Sequence, residues 1–342
     1  MDAGELGPQD RMMVEGLYWW GIPSLFRCPV ETDPAGCDIA LVGVPHASGN
    51  ASTERDQHLG PRAVRHVSAL QRRYHAAFGL SPWDACRVHD LGDVPFPEVN
   101  DNERCIERIT RFYERIATSG TRPVSIGGDH SVTGGIVQGL AGATSELTNG
   151  GPVALVHLDA HIDAYESIPH WLGARKSAAH WASYLVRQGQ VDAARSIQIG
   201  IRGHPRTPDW LQPSYELGYE VVPMDRYREL GPAGCLELVR ERVGDMPVYV
   251  TFDLDCLDAS VAPAVSNLEP GFTGFTIDEA TQLLRGLRGA DVIGGDVVCL
   301  MPTKDAPNGI TAMVAAAVMF ELICLIADRL SDQTADPSVT GA

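Results

Sequence analysis

Val124-Ser125-Ile126-Gly127-Gly128-Asp129-His130-Ser131 is a short apolar run that breaks into glycine, aspartate and histidine. The same grammar returns at Val153-Ala154-Leu155-Val156-His157-Leu158-Asp159-Ala160-His161-Ile162-Asp163, and again at Val248-Tyr249-Val250-Thr251-Phe252-Asp253-Leu254-Asp255-Cys256-Leu257-Asp258. Further β-rich runs fall at residues 38–44, 196–201 and 292–298, and helical stretches at 102–118, 177–187, 236–243 and 277–287 lie between the runs. Short apolar runs alternating with helices read as strands joined by crossover connections, which make neighbouring strands parallel. The expected fold is α/β: a three-layer α/β/α sandwich around a mostly parallel sheet. In such sheets ligands collect beyond the C-terminal ends of the strands, which is where the Asp and His residues fall.

At 342 residues and 44% hydrophobic, the chain can bury a large core and is expected to form one domain over 1–342. An N-terminal extension of about 1–35, a flexible loop at 142–151 and a disordered tail over 331–342 are expected around it. Asp and Glu total 44 against 27 Lys and Arg, a formal charge of −17. That balance lacks the basic footprint of a nucleic-acid binder and attracts cations over long range. The eight cysteines form no CxxC pair, so reduced thiols and a cytoplasmic location are expected. Residues 1–16 are acidic and carry no apolar leader core. The apolar run 310–326 is interrupted by Glu321 and is shorter than a membrane span, so it reads as a buried helix and no membrane partner is expected.

Alternation along a strand turns Asp159, His161 and Asp163 to one side, and likewise Asp253 and Asp255. Any one of the three strings would serve as an ordinary turn or cap. Three of them at successive strand ends concentrate carboxylates and imidazoles that would repel or be desolvated without a cation. Two divalent ions would neutralise them. The oxygen and imidazole donors disfavour structural zinc and suit Mn²⁺, with Ni²⁺ or Co²⁺ as alternatives.

Taken together, the three strings resemble the ureohydrolase family of arginases and agmatinases, and the likeness extends over residues 23–329, including 198–203 and 295–312. The resemblance implies an arginase-like fold and a binuclear centre. In it His130, Asp159, Asp163 and Asp253 would hold one ion, and Asp159, His161, Asp253 and Asp255 the other. It further implies that a bridging hydroxide attacks the guanidino carbon of a small cationic substrate and cuts a C–N bond, releasing urea or a related product. Asp163 would take the proton, and His180 falls where the family places a proton-shuttle histidine, with His170 competing for that role. Asp129 and Asp258 would orient the ligands. A homo-oligomer, trimer or hexamer, is implied as well.

Several positions depart from the family pattern. Where most members read Asp-Val-Val-Glu, with the Glu pairing to the guanidinium, this chain has Asp296-Val297-Val298-Cys299. A charge-assisted contact is lost there, so arginine and agmatine are expected to be poor substrates. Cys299, Tyr165 and Asn267 are the candidate substrate contacts. Residues 259–272 replace a Gly-Thr-Gly-Thr-Pro turn, and 46–58 replace a loop richer in Gly and Arg. The aromatic patch Tyr18-Trp19-Trp20 is expected to pack on the domain or on a neighbouring subunit. These changes keep two alternatives open: a nickel-dependent hydrolase of free guanidine or a biguanide, and a metal-retaining partner subunit that assembles with an active paralogue.

Overall fold

The six apolar runs read from the sequence are the six strands buried along their whole length: β1 (Ile39–Gly43), β3 (Arg122–Ile126), β4 (Ala154–Leu158), β5 (Ile197–Ile201), β7 (Val248–Asp253) and β8 (Val292–Val298). Two strands went unread, β2 (Val88–Asp93) and β6 (Glu220–Pro223). The structure, a computed structural model, describes residues 21–50, 55–168, 174–205 and 207–335. Its single sheet has the order β2-β1-β3-β8-β7-β4-β5-β6, and all seven pairings are parallel.

Alternate strand residues feed two cores, as a period of two requires. Ile39, Leu41, Val248, Val250 and Phe252 join helices Gly60–Ser68, Met224–Val243, Ile277–Arg285 and Ile310–Ala335 on one face. Ala40, Val42, Tyr249 and Ile293 join helices Asn102–Thr118, Ser131–Leu140 and Trp181–Arg187 on the other. The layers are therefore α/β/α.

Some expectations change. Helix Ile310–Ala335 outlasts the run read as ending at 326 and carries residues 331–335 of the expected disordered tail. By length and composition it could cross a membrane, but 83% of its most apolar window is buried inside the protein. Helix Met224–Val243 begins well before residue 236, and Gly231 breaks it at φ 65° just ahead of Pro232, which hides its first half from a periodicity reading. Within the expected extension, Leu25 and Phe26 are core residues; Leu25 N donates to Asp90 Oδ2 at 2.8 Å and Phe26 packs beside Trp83 and Phe320. Ser145 and Thr148 in the 142–151 loop are buried. The Tyr18-Trp19-Trp20 patch and residues 336–342 lie outside the described residues.

Candidate metal centre

β3, β8, β7 and β4 are the four central strands, and they end level with one another: Ile126 pairs Val297, Asp253 pairs Val298, and Leu158 pairs Phe252. The next residues of each therefore emerge side by side at the C-terminal edge. Gly127 and Gly128 lead from β3 to His130, Cys299 follows β8, Asp253 closes β7, and Asp159 follows β4. A Cβ on Gly128 would overlap the His46 carbonyl oxygen. The same residue accepts Cys299 N–H at 2.8 Å, and Asp129 N donates to His46 O at 2.9 Å, so the turn delivering His130 is clamped on both sides.

His130 Nδ1 lies 2.9 Å from Asp159 Oδ2, 3.0 Å from Asp163 Oδ2 and 3.2 Å from Asp253 Oδ2. Its other nitrogen, Nε2, is 2.9 Å from Thr251 Oγ1. Thr251 gives its single hydroxyl proton to Asp296 Oδ1 at 2.6 Å, while Tyr249 and Thr133 donate to Oδ2 at 2.8 Å each. Thr251 must then accept, so His130 carries its proton on Nε2. In the neutral ring, the form that binds an ion, the lone pair is then on Nδ1, which has no hydrogen-bond partner and faces three carboxylates. A cation between them resolves that arrangement.

The second group shares Asp159. His161 Nδ1 is 3.3 Å from Asp159 Oδ1 and 3.2 Å from Asp255 Oδ2, and the donor atoms of these three residues all lie within 4.8 Å of one another. His157 stands close enough to count as a donor to the first group, but its lone pair is taken. Gln198 Nε2 donates to its Nδ1 at 3.0 Å, so Nε2–H points at Asp159 Oδ2, 2.8 Å away. His157 orients Asp159 instead of binding an ion.

The electrostatics agree. Burial presses His130 towards its neutral form, yet Asp159, Asp163 and Asp253 outweigh it and hold the imidazole pKa well above its ordinary value. His161 is raised likewise, against burial, by Asp255, Asp159 and Glu269. Burial and then the neighbouring Asp253 push the Asp255 carboxyl well up. The cluster demands positive charge, which protons supply when no ion does.

Above it opens a cavity of about 560 Å³, lined by His130, His161, Asp163, Asp253 and Asp255 on its floor. Cys299, Tyr165 and Asn267 line its walls, as do Arg202, His204 and Glu269. His180 is not among the lining residues. It is buried one residue beyond Ala179, with Nδ1 2.6 Å from Ser177 Oγ. His170 lies outside the described residues. Asp129 and Asp258 both close local turns, through Ser131 and Ser260 respectively.

Four contributors escaped the sequence reading. Trp181 is fully buried, donates Nε1–H to Asp163 Oδ2 at 2.9 Å, and packs against the His130 and His157 rings at 4.8 and 4.9 Å. Gln198, Asp296 and Glu269 act through histidines they do not adjoin in sequence. Only the residue pair His180-Trp181 held a signal, since the family often follows that histidine with glycine.

A family model described as the arginase family matches residues 37–324. The chain belongs to the arginase family. It is 39% identical to a guanidinopropionase of Pseudomonas aeruginosa over 94% of this chain and 96% of that protein. It is also 34% identical to a mitochondrial guanidino acid hydrolase of Homo sapiens over 90% and 83%. Among solved structures, proclavaminate amidino hydrolase from Streptomyces clavuligerus superposes with a TM-score of 0.81 at 30% identity, covering 91% of this chain and 99% of that one. Membership makes the protein a hydrolase of carbon–nitrogen bonds in linear amidines.

Within this arginase-family chain, Cys299 occupies the wall position expected for the missing Glu. Burial, followed by Asp253 and Asp255, drives its thiol pKa well above the ordinary range, so it stays neutral. Its backbone sits at φ 71°, and Asp163 and Glu269 also hold positive φ, 49° and 45°. Such strain in non-glycine residues gathers where a surrounding structure fixes a functional side chain.

Proposed function

We propose that this protein hydrolyses the guanidino group of a guanidino acid, releasing urea, with two divalent ions held by His130, Asp159, Asp163, Asp253, His161 and Asp255. The observation that carries the reading is His130 Nδ1 facing three carboxylates within 3.2 Å on the floor of the cavity. Bound there, the ions would neutralise the carboxylates and make hydroxide available from water at neutral pH. Four carboxylates and two imidazoles suit Mn²⁺, with Ni²⁺ as the alternative.

The chain's own groups do the rest. Asp159 belongs to both donor groups, and Asp253 Oδ2 adds a carboxylate beside His130 Nδ1 in the first. Trp181 holds Asp163 Oδ2, leaving Oδ1 to take a proton from the attacking water and pass it to the leaving amine. Arg202, on the cavity wall, donates to the carbonyls of Cys256 and Leu257 at 3.2 and 3.0 Å and adds a fixed positive charge that favours a substrate with a carboxylate tail. Relatives named guanidinopropionase and guanidino acid hydrolase support that class. The convergence of all six candidate ligands favours an active enzyme over a partner subunit.

Cys299 supports a second reading, free guanidine or a biguanide with nickel, because a neutral thiol gives up the charge that would grip a substituted guanidinium. The test is kcat/KM for guanidinopropionate, guanidinobutyrate, agmatine, arginine, guanidine and a dimethylbiguanide, with Mn²⁺ and Ni²⁺ in parallel, scored for urea and ammonia. Guanidino acids should lead, and agmatine and arginine should be poor. Cys299→Glu should strengthen binding of a simple guanidinium by about 1.5 to 3 kcal/mol and weaken the native substrate. An unchanged ranking would remove Cys299 from recognition, and preference for guanidine or a biguanide on Ni²⁺ would favour the second reading.

A further inference from the structure

We infer that Glu269 is a positioning residue that locks the His161 ring with Nδ1 towards the outer ion position. The inference rests on the metal reading above and goes beyond it to a residue outside the ligand set. Glu269 Oε1 is 3.1 Å from His161 Nε2. An ionised carboxylate only accepts, so the proton sits on Nε2 and the lone pair on Nδ1, which faces Asp159 and Asp255.

His161 needs such a lock more than its counterpart does. The His130 side chain is 2% exposed and is pressed by Trp181 and tied to Thr251, whereas the His161 side chain is 30% exposed. No aromatic ring packs on His161 among the described residues.

Two independent features hold Glu269 where it is. Its own backbone is kept at φ 45°, a conformation that costs a non-glycine residue roughly 1 to 3 kcal/mol and persists only where the surroundings impose it. Opposite it, Gly203 lies at φ 104°, and a Cβ there would overlap Glu269 Oε2. The absent side chain makes the seat for the carboxylate. The segment 259–272, which departs from the family's turn, thus carries a function of its own.

Titration of Mn²⁺ into metal-free protein, followed by calorimetry or equilibrium dialysis, tests this. Glu269→Ala should weaken one of the two ions by about 10- to 100-fold while leaving the other within about twofold. Glu269→Gln, which keeps an acceptor and loses the charge, should fall between. Glu269→Asp, which keeps the charge but shortens its reach to His161 Nε2, should weaken the same ion, so the inference stays testable if the alanine variant at 269 folds poorly. Equal weakening of both ions would mark a merely structural role. Raised KM with both metal affinities unchanged would make Glu269 a substrate contact; either result overturns the inference. A wild type that binds two ions but hydrolyses no guanidino compound would sink the substrate reading and leave this one standing.

Discussion

Asp159→Ala should abolish turnover and strip both ion positions, whereas Asp255→Ala should cost only one. Asp159 is the carboxylate shared by the two donor groups: Oδ2 lies 2.9 Å from His130 Nδ1 and Oδ1 lies 3.3 Å from His161 Nδ1. His157, the nearest imidazole to Asp159, cannot take its place, because its lone pair accepts the Gln198 amide proton at 3.0 Å. Without a hydroxide available at neutral pH, kcat should fall on the order of 10⁴-fold or further towards the uncatalysed rate. Measured kcat and bound metal together decide it. A variant that kept more than about a tenth of wild-type kcat would remove Asp159 from the bridging role.

Gly128→Ala should damage the fold and the centre at once. The new Cβ would overlap a backbone carbonyl, that of His46, and backbone yields less readily than a side-chain tip. Overpacking of this kind costs typically 1 to 3 kcal/mol, and more where nothing can move, so we expect about 3 kcal/mol or above. The displaced turn carries Asp129 and His130 with it, so affinity for the inner ion should fall too. Gly142→Ala is the control, since a Cβ there meets nothing nearer than 3.4 Å. Denaturant midpoints read both. Equal midpoints for the two variants would mean that the turn is not clamped.

What the sequence disclosed follows from how each part is built. Strands buried on both faces announce themselves as apolar runs, and all six such runs were placed within two residues. β2 reads Val-His-Asp-Leu-Gly-Asp and β6 only Glu-Val-Val-Pro; as edge strands they bury less and lack the signal. Helix Ser131–Leu140 was hidden by its glycines, which periodicity and propensity both count against a helix. Those glycines serve tertiary packing, since a Cβ on Gly135 would press on Ile109 and one on Gly139 would press on the Thr110 carbonyl of the neighbouring helix.

The candidate ligands were legible for a related reason. Each lies at a strand end or within five residues of one, which the spacing shows. Strand alternation does not bring them together: β4 ends at Leu158, Asp163 turns back at φ 49° and Asp255 sits in the 3-10 turn Leu254–Cys256. The groups that orient them were not legible. Asp296 reaches His130 through Thr251 on another strand, Gln198 reaches Asp159 through His157, and Trp181 meets Asp163 across 18 residues of chain. Such links exist only after the sheet is assembled. Glu269 sat in the segment 259–272, read only as replacing a Gly-Thr-Gly-Thr-Pro turn, and nothing local tied it to His161.

The central claim is a binuclear centre, and elemental analysis of active, freshly purified protein tests it most directly. The account predicts close to two divalent ions per chain, manganese or nickel. Active protein carrying a single zinc, or no metal at all, would contradict it.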